Sequence, residues 1–122
     1  MGLKNTSFKN VTGLTQPGHY STARDITTIA AHIISDFPEY FPYYSIKEYR
    51  YNNISQPNRN LLLRRDPTVD GMKTGYTEAA GHCLIASGNV PGRDVIVVLL
   101  GDSKAGVWQD ASALLSWGLR RM

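Results

Sequence analysis

Apolar positions recur with a helical period at two places in the chain. Ile26, Ile29, Ala30, Ile33, Ile34 and Phe37 stand at i, i+3, i+4, i+7, i+8 and i+11, which makes one stripe facing a core. Ser21 or Thr22 can cap this helix, with Asp25 placed three residues after Thr22 to complete a capping box. Pro38 ends it, because the residue before a proline is pushed out of α geometry. Near the end of the chain Val107, Ala111, Leu114, Leu115 and Gly118 mark the inward face of a second helix. Its Arg120 and Arg121 sit favourably near the negative end of the helix dipole.

Between the helices the pattern shortens to runs of strand length. Pro38 to Ser45 is an aromatic connector (Tyr40, Phe41, Tyr43, Tyr44) expected to pack as a short turn onto the core. Ile46 to Tyr51 alternates as a strand that Asn52-Asn53 ends, and Leu61 to Arg65 follows a Gln56-Pro57-Asn58 turn as a further short strand. His82 to Ser87 and Asp94 to Leu100 read as apolar, centrally placed strands, with Gly88 to Arg93 as the hairpin loop between them. Gly101-Asp102 then turns the chain into the last helix. Residues 1 to 20 are rich in Gly, Asn, Thr and Ser and read as a loop with a Gln16-Pro17-Gly18 turn. Loop, helix, antiparallel strands and helix, joined by hairpins, predict an α+β domain with an antiparallel sheet and packed helices.

Composition narrows the function classes. At 122 residues, 42% hydrophobic and 19% charged, the chain is one ordinary globular domain or part of one. Thirteen Lys and Arg against ten Asp and Glu leave +3, and the basic residues are scattered, so no nucleic-acid surface is expected. Cys83 is the single cysteine; it can form no internal disulfide or thiol metal cluster, and a small buried apolar role is expected for it. Val95 to Leu100 is far too short to span a bilayer. No charged head precedes an apolar segment at the N-terminus, so no signal peptide is expected in this chain. Met1-Gly2-Leu3-Lys4-Asn5-Thr6 fits a loose myristoylation pattern but reads better as the interior of a longer sequence.

A complete active site is not legible. No Ser-x-x-Lys and no Gly-x-Ser-x-Gly occurs. His19, His32 and His82 lack metalloprotease spacing, and no Gly-rich phosphate loop is present, so neither metal nor cofactor is expected. What stands out is Asp70-Gly71-Met72-Lys73-Thr74-Gly75-Tyr76-Thr77-Glu78-Ala79-Ala80-Gly81. A lysine ammonium can hold a carboxylate and a threonine hydroxyl can add a hydrogen bond to it. Gly75 leaves room where a peptide lies along the strand by β-augmentation.

Asp70 to Gly81, followed by the apolar strand at 82 to 87, resembles the third-motif region of the low-molecular-weight D-alanyl-D-alanine carboxypeptidases, which are serine peptidases. Leu3 to Leu14 is similar to that family's loop after its second motif, and Ser21 to Asp25 to the start of its next helix. Asn58-Arg59-Asn60-Leu61-Leu62 and Leu114-Leu115-Ser116-Trp117-Gly118 fit as well, so the resemblance runs through nearly the whole chain in order. It implies that residues 1 to 122 are the C-terminal part of a peptidase domain of the β-lactamase and DD-peptidase type, without the Ser-x-x-Lys and Ser-x-Asn segments.

By that resemblance Lys73, Thr74 and Gly75 belong to the catalytic cleft. Lys73 and Thr74 would bind the terminal carboxylate of a peptidoglycan stem peptide ending in D-Ala-D-Ala, and the Tyr76 backbone N–H would be one of two oxyanion donors. β-Lactams would bind the complete domain, the missing N-terminal half would be the structural partner, and the parent would act in the periplasm or on the outer face of the membrane. This chain alone would be inactive. Ser87-Gly88-Asn89 matches Ser-x-Asn as a string but lies after Lys-Thr-Gly, at a predicted hairpin loop, and reads as a decoy. Tyr76 replaces a histidine common in the family, and near Val107 many members carry an arginine that helps anchor the substrate carboxylate, a role Val107 cannot fill, which leaves Lys104 and Arg93 as replacements to weigh. Rival readings are a non-catalytic peptidoglycan-peptide or penicillin-binding module, the remnant of a truncated gene, and a β-lactamase or transpeptidase relative.

Overall fold

The computed structural model describes residues 2–120; Met1, Arg121 and Met122, and with them the expected dipole contact of Arg121, lie outside the described residues. Helix α1 (Ala23–Asp36) leads through a 3-10 turn (Phe41–Ser45) into the hairpin β1 (Glu48–Tyr51) and β2 (Ile54–Pro57). A short helix α2 (Leu62–Arg65) precedes β3 (Val69–Thr77), β4 (Gly81–Val90) and β5 (Arg93–Asp102), and α3 (Gly106–Arg120) closes the chain. β3, β4 and β5 form an antiparallel sheet in that spatial order, so β4 is central and β3 and β5 are its edges. The α+β class follows from this arrangement.

The core lies between one face of the sheet and α3. Leu84 and Ala86 of β4 and Val97 of β5 meet Val107, Ala111 and Leu115 of α3, with Leu62, Leu63 and Val69 completing the cluster. Each fully buried leucine contributes roughly 1.5–3 kcal/mol. The helix comes very close to the sheet: a Cβ at Gly118 would stand 2.8 Å from Val95 Cγ1. On the opposite face the 3-10 turn covers β3, where Phe41 and Tyr44 reach Gly71, and α1 packs beside β5.

Several elements depart from the pattern-based expectations. Leu62–Arg65 is helical rather than extended, because the Asn60 Oδ1 accepts from the Leu62 N–H at 3.2 Å and starts a turn. Gln56 and Pro57 belong to β2; the tight turn falls instead at Asn52 and Asn53, whose φ angles of 51° and 62° suit a two-residue hairpin. The β4–β5 loop shrinks to Pro91-Gly92, because β4 runs on through Gly88, Asn89 and Val90. Gly101 and Asp102 are still in β5.

The capping box is half formed. Thr22 Oγ1 accepts from the Asp25 N–H at 3.1 Å, but the Asp25 carboxylate turns away to accept from Asn5 N–H at 3.1 Å and Thr6 Oγ1 at 2.6 Å. Buried Asp25 thereby ties the N-terminal loop to α1. Parts of both predicted inward faces are open: Phe37 is 52% exposed and Leu114 44%. Cys83 is partly exposed rather than buried. Among the described residues no helix is long and apolar enough to cross a membrane.

Candidate active site

Lys73-Thr74-Gly75-Tyr76 occupies the middle and end of β3, where one edge pairs with β4 and no strand among the described residues pairs with the other. Unpaired N–H and C=O groups along such an edge are a template for an incoming extended chain. Thr74 lies opposite Leu84 and Tyr76 opposite His82, while Lys73 lies opposite Ile85 and Gly75 opposite Cys83. Directly opposed residues share a face. Thr74 and Tyr76 therefore stand on the α3 side, Lys73 and Gly75 on the other.

Lys73 is exposed and its ammonium donates to the Thr74 carbonyl. It meets no carboxylate among the described residues. An exposed ammonium satisfied only by a local carbonyl is free to exchange that contact for an anionic ligand at little cost. Gly75 is equally open: a Cβ built there meets no atom within 4 Å, and its φ is not positive. Neither backbone conformation nor packing among the described residues requires glycine at that position. Tyr76 stacks on His82 with ring centroids 4.3 Å apart, which gives both residues a packing role on the α3 side.

Gly81 has a different reason for being glycine. Its φ is +75°, and a Cβ would approach Gly101 Cα at 3.1 Å, so the β3–β4 turn needs it sterically. The turn is braced by the Ala80 N–H donating to Thr77 Oγ1 at 3.0 Å.

Arg93 and Lys104, the two replacements for an anchoring arginine, lie at opposite ends of β5. Val107 is 2% exposed and belongs to the core. Arg93 starts β5 opposite Val90 and donates to the Gly118 and Leu119 carbonyls at 3.4 and 3.3 Å, at the end of α3. Lys104 follows β5 at the other end of that strand, where Asp102 lies opposite His82, and is exposed.

Two groups named in the sequence for other reasons prove to hold the start of β3. Asn60 is 2% exposed and donates to the Gly71 carbonyl at 2.9 Å. Ser87, in β4 as expected, donates to Asp70 Oδ1 at 2.6 Å. An asparagine directly before a Leu-rich run was the available signal for the first; nothing local announces the second, since its partner lies 17 residues away.

Lys73 does not line the concavity of about 700 Å³ between α2 and α3, which is lined by Leu62, Asp66, Trp108 and Ser112 among others. Lys73 and its neighbours form a wall, and a wall binds strongly only when another surface faces it.

A family model described as D-alanyl-D-alanine carboxypeptidase matches residues 1–104. The D-alanyl-D-alanine carboxypeptidase DacC of Escherichia coli is 43% identical over 122 residues, covering 98% of this chain and 30% of the relative. Among solved structures, penicillin binding protein 5 of Haemophilus influenzae superposes with a TM-score of 0.91 at 46% identity, over 96% of this chain and 35% of that one. Penicillin-binding protein D2 of Listeria monocytogenes, in an ampicillin-bound form, gives 0.79 at 28% identity, over 92% and 47%. The chain thus spans about a third of the length of the first two.

Proposed function

Because the chain belongs to the D-alanyl-D-alanine carboxypeptidase family, we propose that it is the C-terminal part of a serine-type peptidase domain and supplies its substrate-binding strand. The substrate is a peptidoglycan stem peptide ending in D-Ala-D-Ala, and the parent works in the periplasm or on the outer face of the membrane. The observation that carries this reading is the open edge of β3, with a Lys73 ammonium that meets no carboxylate and a Gly75 that meets no obstruction among the described residues. The peptide lies along that edge as an added strand. Lys73 and Thr74 leave β3 on opposite faces and hold its terminal carboxylate between them at the open edge, which sets the scissile bond at a fixed distance along the strand.

The nucleophile comes from a Ser-x-x-Lys segment outside these residues. Its hydroxyl attacks the carbonyl of the penultimate D-Ala, and the lysine of that segment takes the proton. The Tyr76 N–H and the N–H of the serine stabilise the oxyanion. The terminal D-Ala leaves as the free amino acid, and water hydrolyses the acyl-enzyme. β-Lactams acylate the same serine, with their carboxylate in the place of the peptide's.

The test uses the full-length protein encoded by the uninterrupted reading frame, assayed for D-Ala release from an acylated peptide ending in D-Ala-D-Ala. Release that stops when the upstream serine is changed to alanine supports the reading. Peptide binding without release assigns the chain to a non-catalytic module instead. Residues 1–122 alone should take up no fluorescent penicillin covalently, and labelling of that chain would contradict the placement of the nucleophile.

A further inference from the structure

We infer that Asn60 and the Asp70–Ser87 pair are positioning residues that determine on which face of β3 Lys73 stands; this rests on the reading of Lys73 as a carboxylate holder. β3 carries one extra residue. Val69 lies opposite Gly88 and Gly71 opposite Ser87, which leaves Asp70 as the unpaired residue of a bulge. Side chains alternate along a strand, so the bulge sets the parity of everything after it. With it, Met72 lies opposite Ala86 on the core face and Lys73 opposite Ile85 on the other. A slip of one residue would turn Lys73 toward the core and carry buried Met72 out of it.

Hydrophobic pattern alone defends this register weakly. From Gly71 to Gly75, Met72 is the single large apolar side chain, and Gly-rich strands slip most easily. Polar contacts supply the missing specification. Ser87 Oγ donates to Asp70 Oδ1 at 2.6 Å, across the strands at the bulge itself. Asn60 Nδ2 donates to the Gly71 carbonyl at 2.9 Å, the next residue along.

Asn60 is in turn held at both ends. Its Oδ1 accepts from Leu62 N–H at 3.2 Å, and its own N–H donates to Asn58 Oδ1 at 2.9 Å. Asn60 and Ser87 are 2% and 3% exposed, so water does not compete for these bonds. Gly71 completes the fit, because a Cβ there would stand 2.7 Å from Ser87 Oγ and 3.3 Å from Phe41 Cε1. The serine of the Ser87-Gly88-Asn89 string thus has work of its own, on the backbone that carries Lys73.

The experiment uses the full-length protein and compares its acylation rates with a penicillin bearing the free carboxylate and with the methyl ester of that penicillin. Asn60→Asp keeps the acceptor for Leu62 but loses the donor to Gly71; Ser87→Ala loses the donor to Asp70. Each should lower the carboxylate-to-ester rate ratio by roughly threefold or more, through displacement of Lys73. Asp70→Asn keeps an acceptor for Ser87 and should hold the wild-type ratio.

A purely structural role would slow both reagents alike, and an unchanged ratio in Ser87→Ala, or in Asn60→Asp where it folds, overturns the inference. Ser87→Ala removes only a hydroxyl and carries the test if Asn60→Asp fails to fold. A wild-type protein that does not distinguish the two reagents refutes the reading of Lys73, and this inference falls with it. Loss of the ratio in Asp70→Asn equal to that in Ser87→Ala also counts against it.

Discussion

Gly75→Ala separates a glycine kept for the fold from one kept for a ligand. Within this chain the added methyl group meets no atom within 4 Å, and the backbone angle there is one that alanine adopts. Replacing such a glycine restricts the unfolded chain, so folding should be unchanged or stabilised by about 0.4–1 kcal/mol. With a peptide laid along the β3 edge, the same methyl group projects into occupied space. Overpacking of that kind costs about 1–3 kcal/mol, which corresponds to a fall of about 5- to 150-fold in kcat/KM.

The assay pairs a denaturant melt of the full-length protein with kcat/KM for D-Ala release. Gly71→Ala is the contrasting control, since its Cβ would stand 2.7 Å from Ser87 Oγ; it should lower stability as well as activity. A Gly75→Ala protein with full activity would refute the placement of substrate along this edge. One that melts early would show that the glycine serves the fold after all.

Lys73→Ala should lower kcat/KM by roughly a hundredfold, the scale for loss of a charge-assisted contact at about 2–3 kcal/mol. Lys73→Arg should recover only part of this, because a planar fork does not reproduce a compact ammonium. Leu115→Ala, at a side chain fully buried between α3 and the sheet, should cost about 2–5 kcal/mol and shift the denaturant midpoint without changing the slope.

A protonated Asp110 carboxyl can donate to the Asp102 carboxylate, which holds Asp102 below its ordinary range and pushes Asp110 above it. The raised group favours folding below its unfolded pKa and loses that contribution as pH rises through its folded value. The lowered group does the reverse, losing its contribution as pH falls through its folded value. Carboxyl carbon shifts in an NMR titration should show the two steps split, and Asp102→Asn should bring the Asp110 step down. An Asp110 step that does not move would remove the pairing.

How much of this protein could be read from its sequence depended on the range of the forces involved. The periodicity of α1 and α3, the two long apolar strands and the α+β class were legible, because burying one face imposes 3.6 and 2.0 periods locally. Lys73-Thr74-Gly75 was legible as a strand segment, and its ordered neighbours identified the family.

What the sequence missed was set partly by side-chain contacts within turns and partly by contacts between distant residues. Leu62–Arg65 turned helical after the turn that Asn60 starts by accepting from the Leu62 N–H, and Gly88 to Val90 stayed extended because β5 was there to pair with them. The face on which Lys73 stands depended on a bulge at Asp70, held by a serine 17 residues away. Sequence alone determined which chemistry was available. Only the tertiary structure decided where it points, because one extra residue inverts a strand and only partners brought together by folding can hold that residue in place.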